Sequence, residues 1–156
     1  MANELRNKYF IKRLQGGSWS DITTLFDGVR VLKLGGMNEV GEAVNVYTEQ
    51  WVGSQEEDYM CVGDVVVRKN VDLEMSFIVG TRYSSNRNAD TQTVYDAFKD
   101  YICNHGDFYV KSAYSGKSAH VVCLKGIQVV AEKLNRGINS YILATATLHC
   151  LGEPSV

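Results

Sequence analysis

From Val71 to Val79 the chain alternates apolar and polar residues almost without a break, which places Val71, Leu73, Met75, Phe77 and Val79 on one face of a strand. A second period follows. Val94, Ala97, Phe98, Tyr101 and Ile102 recur at helical spacing between Thr91 and Asn104, while Gln92, Asp96, Lys99 and Asp100 point the other way. This amphipathic helix is the natural cover for the apolar face of the sheet. Asp90 or Thr91 is placed to cap its first amides, and His105-Gly106 provides a stop.

Around that centre the pattern predicts strands over Lys8 to Leu14, Val29 to Leu34, Val44 to Val52, Tyr59 to Val67, Phe108 to Lys111, Ala119 to Lys125, Ile127 to Leu134 and Ile138 to Cys150. Ser18 to Ile22 reads as a turn or irregular crossing. Gly16-Gly17, Asp27-Gly28, Gly35-Gly36, Tyr114 to Lys117 and Asn135 to Gly137 supply turns, and Gly126 a bend or bulge. The chain is therefore mainly β with one helix. Its 156 residues form a single domain, residues 1–156, with a projecting hairpin at about 42–67 whose polar tip is Gln55, Glu56, Glu57 and Asp58. The polar stretch Gly80 to Asp90 is a second candidate contact loop.

Ile138 to Cys150 contains no Asp, Glu, Lys or Arg, and the chain's one proline, Pro154, lies beyond it. Edge strands normally carry charge, proline or bulges. This strand is thus expected to be central, closed into a barrel, or completed by neighbouring copies.

The net charge of −2 gives no global attraction to nucleic acid or to an anionic membrane. The N-terminal residues lack the apolar core of a signal peptide, and no apolar run approaches the ~20 residues of a membrane span, so synthesis and folding in a cytosol, without membrane insertion, are expected. Cys61, Cys103, Cys123 and Cys150 show neither zinc-ligand spacing nor a disulfide framework, and they read as buried free thiols. Phosphate-loop, dinucleotide, nucleophile-elbow and His-Glu-x-x-His motifs are absent from the sequence. A Cys-His pair drawn from Cys123 or Cys150 and His120 or His149 fails because neighbours along a strand face opposite ways. Asp72 and Glu74 fall on the outer face of their strand, where a solvated or interface role is expected. The sequence predicts no catalytic residue, no cofactor and no metal.

The order of elements resembles the phage tail tube and distal tail protein superfamily, whose fold also occurs in contractile injection tubes. The resemblance runs from Trp19 to Cys150. It is carried by Phe26-Asp27-Gly28-Val29, the hairpin around Trp51 to Tyr59, Arg68-Lys69-Asn70-Val71-Asp72-Leu73-Glu74-Met75-Ser76-Phe77, the helix Val94 to Tyr101, and the closing strands. It implies a β-sandwich or barrel of the tail-tube type, completed by ring oligomerisation. It further implies a virion structural protein, a hexameric ring in the tail tube or distal tail and baseplate hub, made in the bacterial host cytoplasm. Other phage tail proteins would be its partners and DNA its transiting cargo. The short length favours a tube or minimal ring protein over a baseplate component with an added carbohydrate-binding domain. Candidate subunit-interface residues are Tyr47, Trp51, Gln55, Glu56, Glu57, Asp58, Tyr59, Arg82 and Tyr83. The competing reading is a non-catalytic β-domain that holds a carbohydrate or host-surface ligand through Trp19, Trp51 and Tyr83.

Overall fold

The computed structural model describes residues 9–50, 52–53, 57–63, 65–84, 90–134 and 140–156, with the backbone alone for 57–59. The elements are β1 (Tyr9–Lys12), β2 (Ser20–Asp21), α1 (Ile22–Leu25), β3 (Val29–Gly35), β4 (Val46–Gln50), β5 (Glu57–Cys61), β6 (Asp72–Gly80), α2 (Thr91–Cys103), β7 (Phe108–Ser112), β8 (Ser118–Val122), β9 (Ile127–Lys133) and β10 (Tyr141–Cys150). A short 3-10 turn, Thr81–Tyr83, follows β6. All strand pairs are antiparallel.

β10 joins the two halves of the fold. One edge pairs with β6 from Tyr141 opposite Gly80 to His149 opposite Asp72. The other edge is shared, β9 taking Tyr141 to Ala146 and β8 taking His149 and Cys150. One layer is therefore β3-β6-β10-β9, and the sheet continues through β8, β7, β1 and β2 into the other. Both contribute to one core, giving a β-sandwich. It is not a closed barrel: β3, β9 and β2 each keep an unpaired edge among the described residues. The uncharged final strand is thus central, and its lack of charge is explained by pairing within the chain. Neighbouring copies are not needed to account for it.

The alternation seen in the sequence becomes burial. Leu73, Met75, Phe77 and Val79 of β6 are fully buried, as are Ala144, Ala146, Leu148 and Cys150 of β10. Each large apolar side chain so placed stabilises the fold by about 1.5–3 kcal/mol.

α2 lies against β6, β10 and β3. Asp90 caps it, one carboxylate oxygen accepting from the Gln92 amide at 3.3 Å and the other from the Thr93 hydroxyl at 2.9 Å. Its buried stripe is Thr91, Tyr95, Phe98 and Ile102, while Val94 and Tyr101 flank it half-buried. Ala97 falls off this 4-3-4 stripe and is exposed, contrary to the sequence expectation. The Phe98 ring meets Phe77 edge-on at 4.8 Å and Phe26 at 5.1 Å, which ties the helix to the sheet and to the segment after α1.

The other end of α2 is held by Arg13. Its guanidinium donates to the carbonyls of Asp107 (3.0 Å), His105 and Gly106 (both 3.3 Å), and also to that of Tyr101, while lying over the Tyr101 ring. A cation at a helix C-terminus opposes the negative end of the dipole. Gly106, at φ +83°, turns the chain away from the helix.

Several boundaries differ from the expected ones. β1 ends at Lys12, short of Leu14, because Arg13 leaves the strand for α2, and Lys8 lies outside the described residues. Ser18 to Ile22 is not irregular: Ser20 and Asp21 pair with β1, and Asp21 then caps α1 by accepting from the Thr23 amide at 3.0 Å. β4 starts at Val46 and not Val44, β5 begins at Glu57, two residues before the expected Tyr59, and ends at Cys61 in place of Val67, and β8 stops at Val122. The described part of the last strand starts at Tyr141; Ile138 lies outside the described residues.

Two variants test this architecture in chemical denaturation. Phe98→Ala should destabilise by about 3–5 kcal/mol, the usual cost of emptying a packed aromatic site. Arg13→Met, which keeps the aliphatic stem, should cost about 1.5–3 kcal/mol from lost charge-assisted hydrogen bonds.

Candidate assembly interface

Between β3 and β6 the chain leaves the sandwich and forms an arm. β4 and β5 pair with each other, Val46 opposite Cys61 through Gln50 opposite Glu57, and among the described residues with no other strand. Tyr47 is 62% exposed and Met60 is 66% exposed, and the register sets them opposite one another. Val40, Val44, Val62, Val65, Val66 and Val67 are exposed as well. A two-stranded hairpin is at best marginally stable alone; its strands carry Thr48, Glu49, Gln50, Glu57 and Asp58, and the exposed valines that flank them form the apolar part of the surface.

The root of the arm is nonetheless tightly specified. Asn45 spans its two sides: its amide nitrogen donates to the carbonyls of Val62 (2.9 Å) and Val65 (2.8 Å), and its amide oxygen accepts from the Val67 amide (2.7 Å). Val44 donates to Val67 and Lys69 to Glu42, each at 2.8 Å, and the Arg68 guanidinium donates to the Gly41 carbonyl at 3.0 Å. Gly41 is required here by proximity, since a Cβ would stand 1.8 Å from the Lys69 carbonyl oxygen. The arm is therefore aimed by its root.

Beside the root lies a cleft of about 810 Å³ whose lining includes Lys33, Glu39, Glu42, Lys69, Asp72 and Lys125. Asp72 anchors it. Its carboxylate accepts from the Lys125 ammonium and pairs with His149 Nδ1, both at 2.8 Å, and these two hydrogen bonds hold its carboxyl below the usual aspartate range. Glu74, two residues on, is exposed on the same outer face. His149 thus faces outward to Asp72 while Cys150 is buried in the core. His120 pairs with Asp107, and the Cys123 sulfur meets that of Cys103.

Of the interface residues expected from the sequence, Tyr47 lies on the exposed arm. Glu57 and Asp58 are strand positions paired with Gln50 and Glu49, not parts of a tip, and Tyr59 pairs with Thr48. Trp51, Gln55 and Glu56 lie outside the described residues, as do positions 85–89 of the Gly80 to Asp90 loop. Arg82 and Tyr83 form the 3-10 turn at the far end of β6 from the arm. Nine strand residues, roughly 30 Å, separate the two regions, so they are two surfaces at opposite ends. Arg82 and Tyr83 line a cleft of about 480 Å³ with Arg30, whose guanidinium sits 5.1 Å from the centre of the Tyr83 ring. Lys12 stands 4.5 Å over the Trp19 ring. One face of each of these rings is thus occupied by a cation, which weakens them as open sugar-stacking platforms.

The sequence missed Asn45, because an asparagine before a β-run looks like any turn residue. It also missed the exposed valines, which read as ordinary strand residues.

No family model matches the chain. No curated protein matches it either. Among solved structures, a chain of the phage p2 baseplate, in its activated conformation with Sr, superposes with a TM-score of 0.55 at 12% identity. The match covers 94% of this chain and 45% of that one. The chain shares its fold with that part of the baseplate chain. At this identity the likeness concerns architecture, and the chain spans less than half the length of the baseplate chain it matches. Among the described residues, no helix is long and apolar enough to cross a membrane.

Two measurements probe the root. Asn45→Ala should speed hydrogen exchange at the Val62 and Val67 amides while lowering global stability by no more than about 1 kcal/mol, because the arm stands outside the core. The Asp72 contribution, with its depressed folded value, is fully present above the unfolded carboxylate range near 3.8 and is lost as pH falls through the folded value. The stability gap between wild type and Asp72→Asn in urea should therefore shrink as pH falls below about 4.

Proposed function

We propose that this chain is a structural protein of a bacteriophage or prophage virion: a ring-forming subunit of the tail tube or of the distal tail and baseplate hub, through which DNA passes. The observation that carries this reading is the arm, a hairpin with exposed valines around a specified root, paired with no other strand among the described residues. Such a surface is suited to another subunit.

Two further features support it. β3 and β9 leave open edges on opposite sides of one layer. Different edges meeting head to tail form a heterologous contact, which closes into a ring when the rotation permits. Each of these strands has a bulge, near Leu32 and near Val130, so their pairing with a neighbour would be local. The baseplate-type fold agrees with the same setting.

In this reading Tyr47, Trp51, Gln55, Glu56, Glu57, Asp58 and Tyr59 engage a neighbouring copy or ring, and Arg82 with Tyr83 forms a second contact at the opposite end. The hexameric order follows from the family resemblance. The slight net acidity suits a conduit, because strong phosphate neutralisation would retain the DNA. The protein's place is then the virion tail, and its work is assembly without covalent chemistry.

Sedimentation velocity on wild type and on a variant with residues 44–67 replaced by a short Gly-Ser linker tests the arm. Wild type should associate with rising concentration, and the armless variant should remain a monomer with an unchanged melting temperature. Equal association of both would overturn the role given to the arm.

A further inference from the structure

The sulfurs of Cys103, the last residue of α2, and Cys123, which follows β8, are 3.5 Å apart, in van der Waals contact. Both residues are half-buried against the core. The other two cysteines are placed differently. Cys150 is fully buried, and Cys61 belongs to the arm, where its sulfur accepts from the Asn45 amide at 3.5 Å.

We propose that Cys103 and Cys123 form a thiol–disulfide exchange site, at which a small disulfide such as oxidised glutathione installs an intrachain bond fastening the end of α2 to β8. One cysteine, as thiolate, attacks a glutathione sulfur, forming a mixed disulfide and releasing one glutathione thiolate. The second cysteine then attacks the protein-side sulfur of that mixed disulfide and expels the other glutathione. The two protein thiols lose two protons and two electrons in all, and oxidised glutathione becomes two reduced molecules. The sulfurs need to close by about 1.5 Å to reach the ~2.05 Å bond length.

The bond would close a loop whose ends are 20 positions apart, at the helix end that Arg13 otherwise holds through hydrogen bonds. Burial and the neighbouring Cys123 push the Cys103 thiol up to about 12, so the exchange is slow at neutral pH and accelerates in alkali. On the virion reading, the bond forms after the particle leaves a thiol-rich cytoplasm. The chemistry itself does not depend on that reading.

The purified full chain, treated with excess oxidised glutathione at alkaline pH, alkylated and measured by intact and peptide mass, tests this directly. The expected product has lost two hydrogens, carries no glutathione, links the Cys103 and Cys123 peptides, and melts roughly 5–10 °C higher than the reduced chain. Cys103→Ser should instead retain one glutathione on Cys123, whereas Cys61→Ser should close normally. Recovery of wild-type Cys103 and Cys123 as alkylated thiols, or as stable glutathione adducts, would overturn the proposal. A disulfide-bonded chain that never associates would support this site and count against the ring reading, so the two fail separately.

Discussion

Strand β10 is the constraint on which the rest depends. It has to pair on both edges, because ten residues without Asp, Glu, Lys or Arg would otherwise form an open invitation to aggregation. β6 fills one edge, and β9 and β8 divide the other. That division bends one continuous sheet into two layers and lets Ile142, Ala144, Ala146, Leu148 and Cys150 face a core built from both. The small alanines at its centre leave room for the aromatic cluster of Phe77, Phe98 and Phe26 contributed by β6, α2 and the segment after α1.

The same arrangement decides what is left open. With β10 and β6 interior, the layer ends in β3 on one side and β9 on the other, and the connection between β3 and β6 is free to leave the body as the arm. Rigidity is concentrated where direction matters. Asn45, Gly41 and Arg68 fix the root of the arm, and Arg13 fixes the end of α2.

The parts of this structure legible in the sequence are those governed by a simple period. The apolar face of β6 and most of the buried stripe of α2 follow from alternation and helical spacing, as does the Asp90 cap from residue type. Ala97 shows the limit: spacing alone could not say which side of a broad apolar stripe meets the sheet. α1 was hidden because four residues are too few to show a period, and β2 because two residues are. The uncharged last strand was correctly marked as needing partners on its edges, but sequence could not say that the chain supplies them itself. The β4–β5 hairpin was legible as two β-prone runs around a polar stretch, whereas its root depends on long-range hydrogen bonds from Asn45 that no local pattern announces. The separation of Arg82 and Tyr83 from the arm is likewise a matter of topology, set by β6 running antiparallel to β3.

The central claim is that the open edges and the arm are completed by further copies of this chain. Negative-stain electron microscopy of the purified protein across a concentration series tests it most directly. The account predicts rings or short tubes with a central channel, growing in number with concentration. Uniform small monomers at every concentration would contradict it.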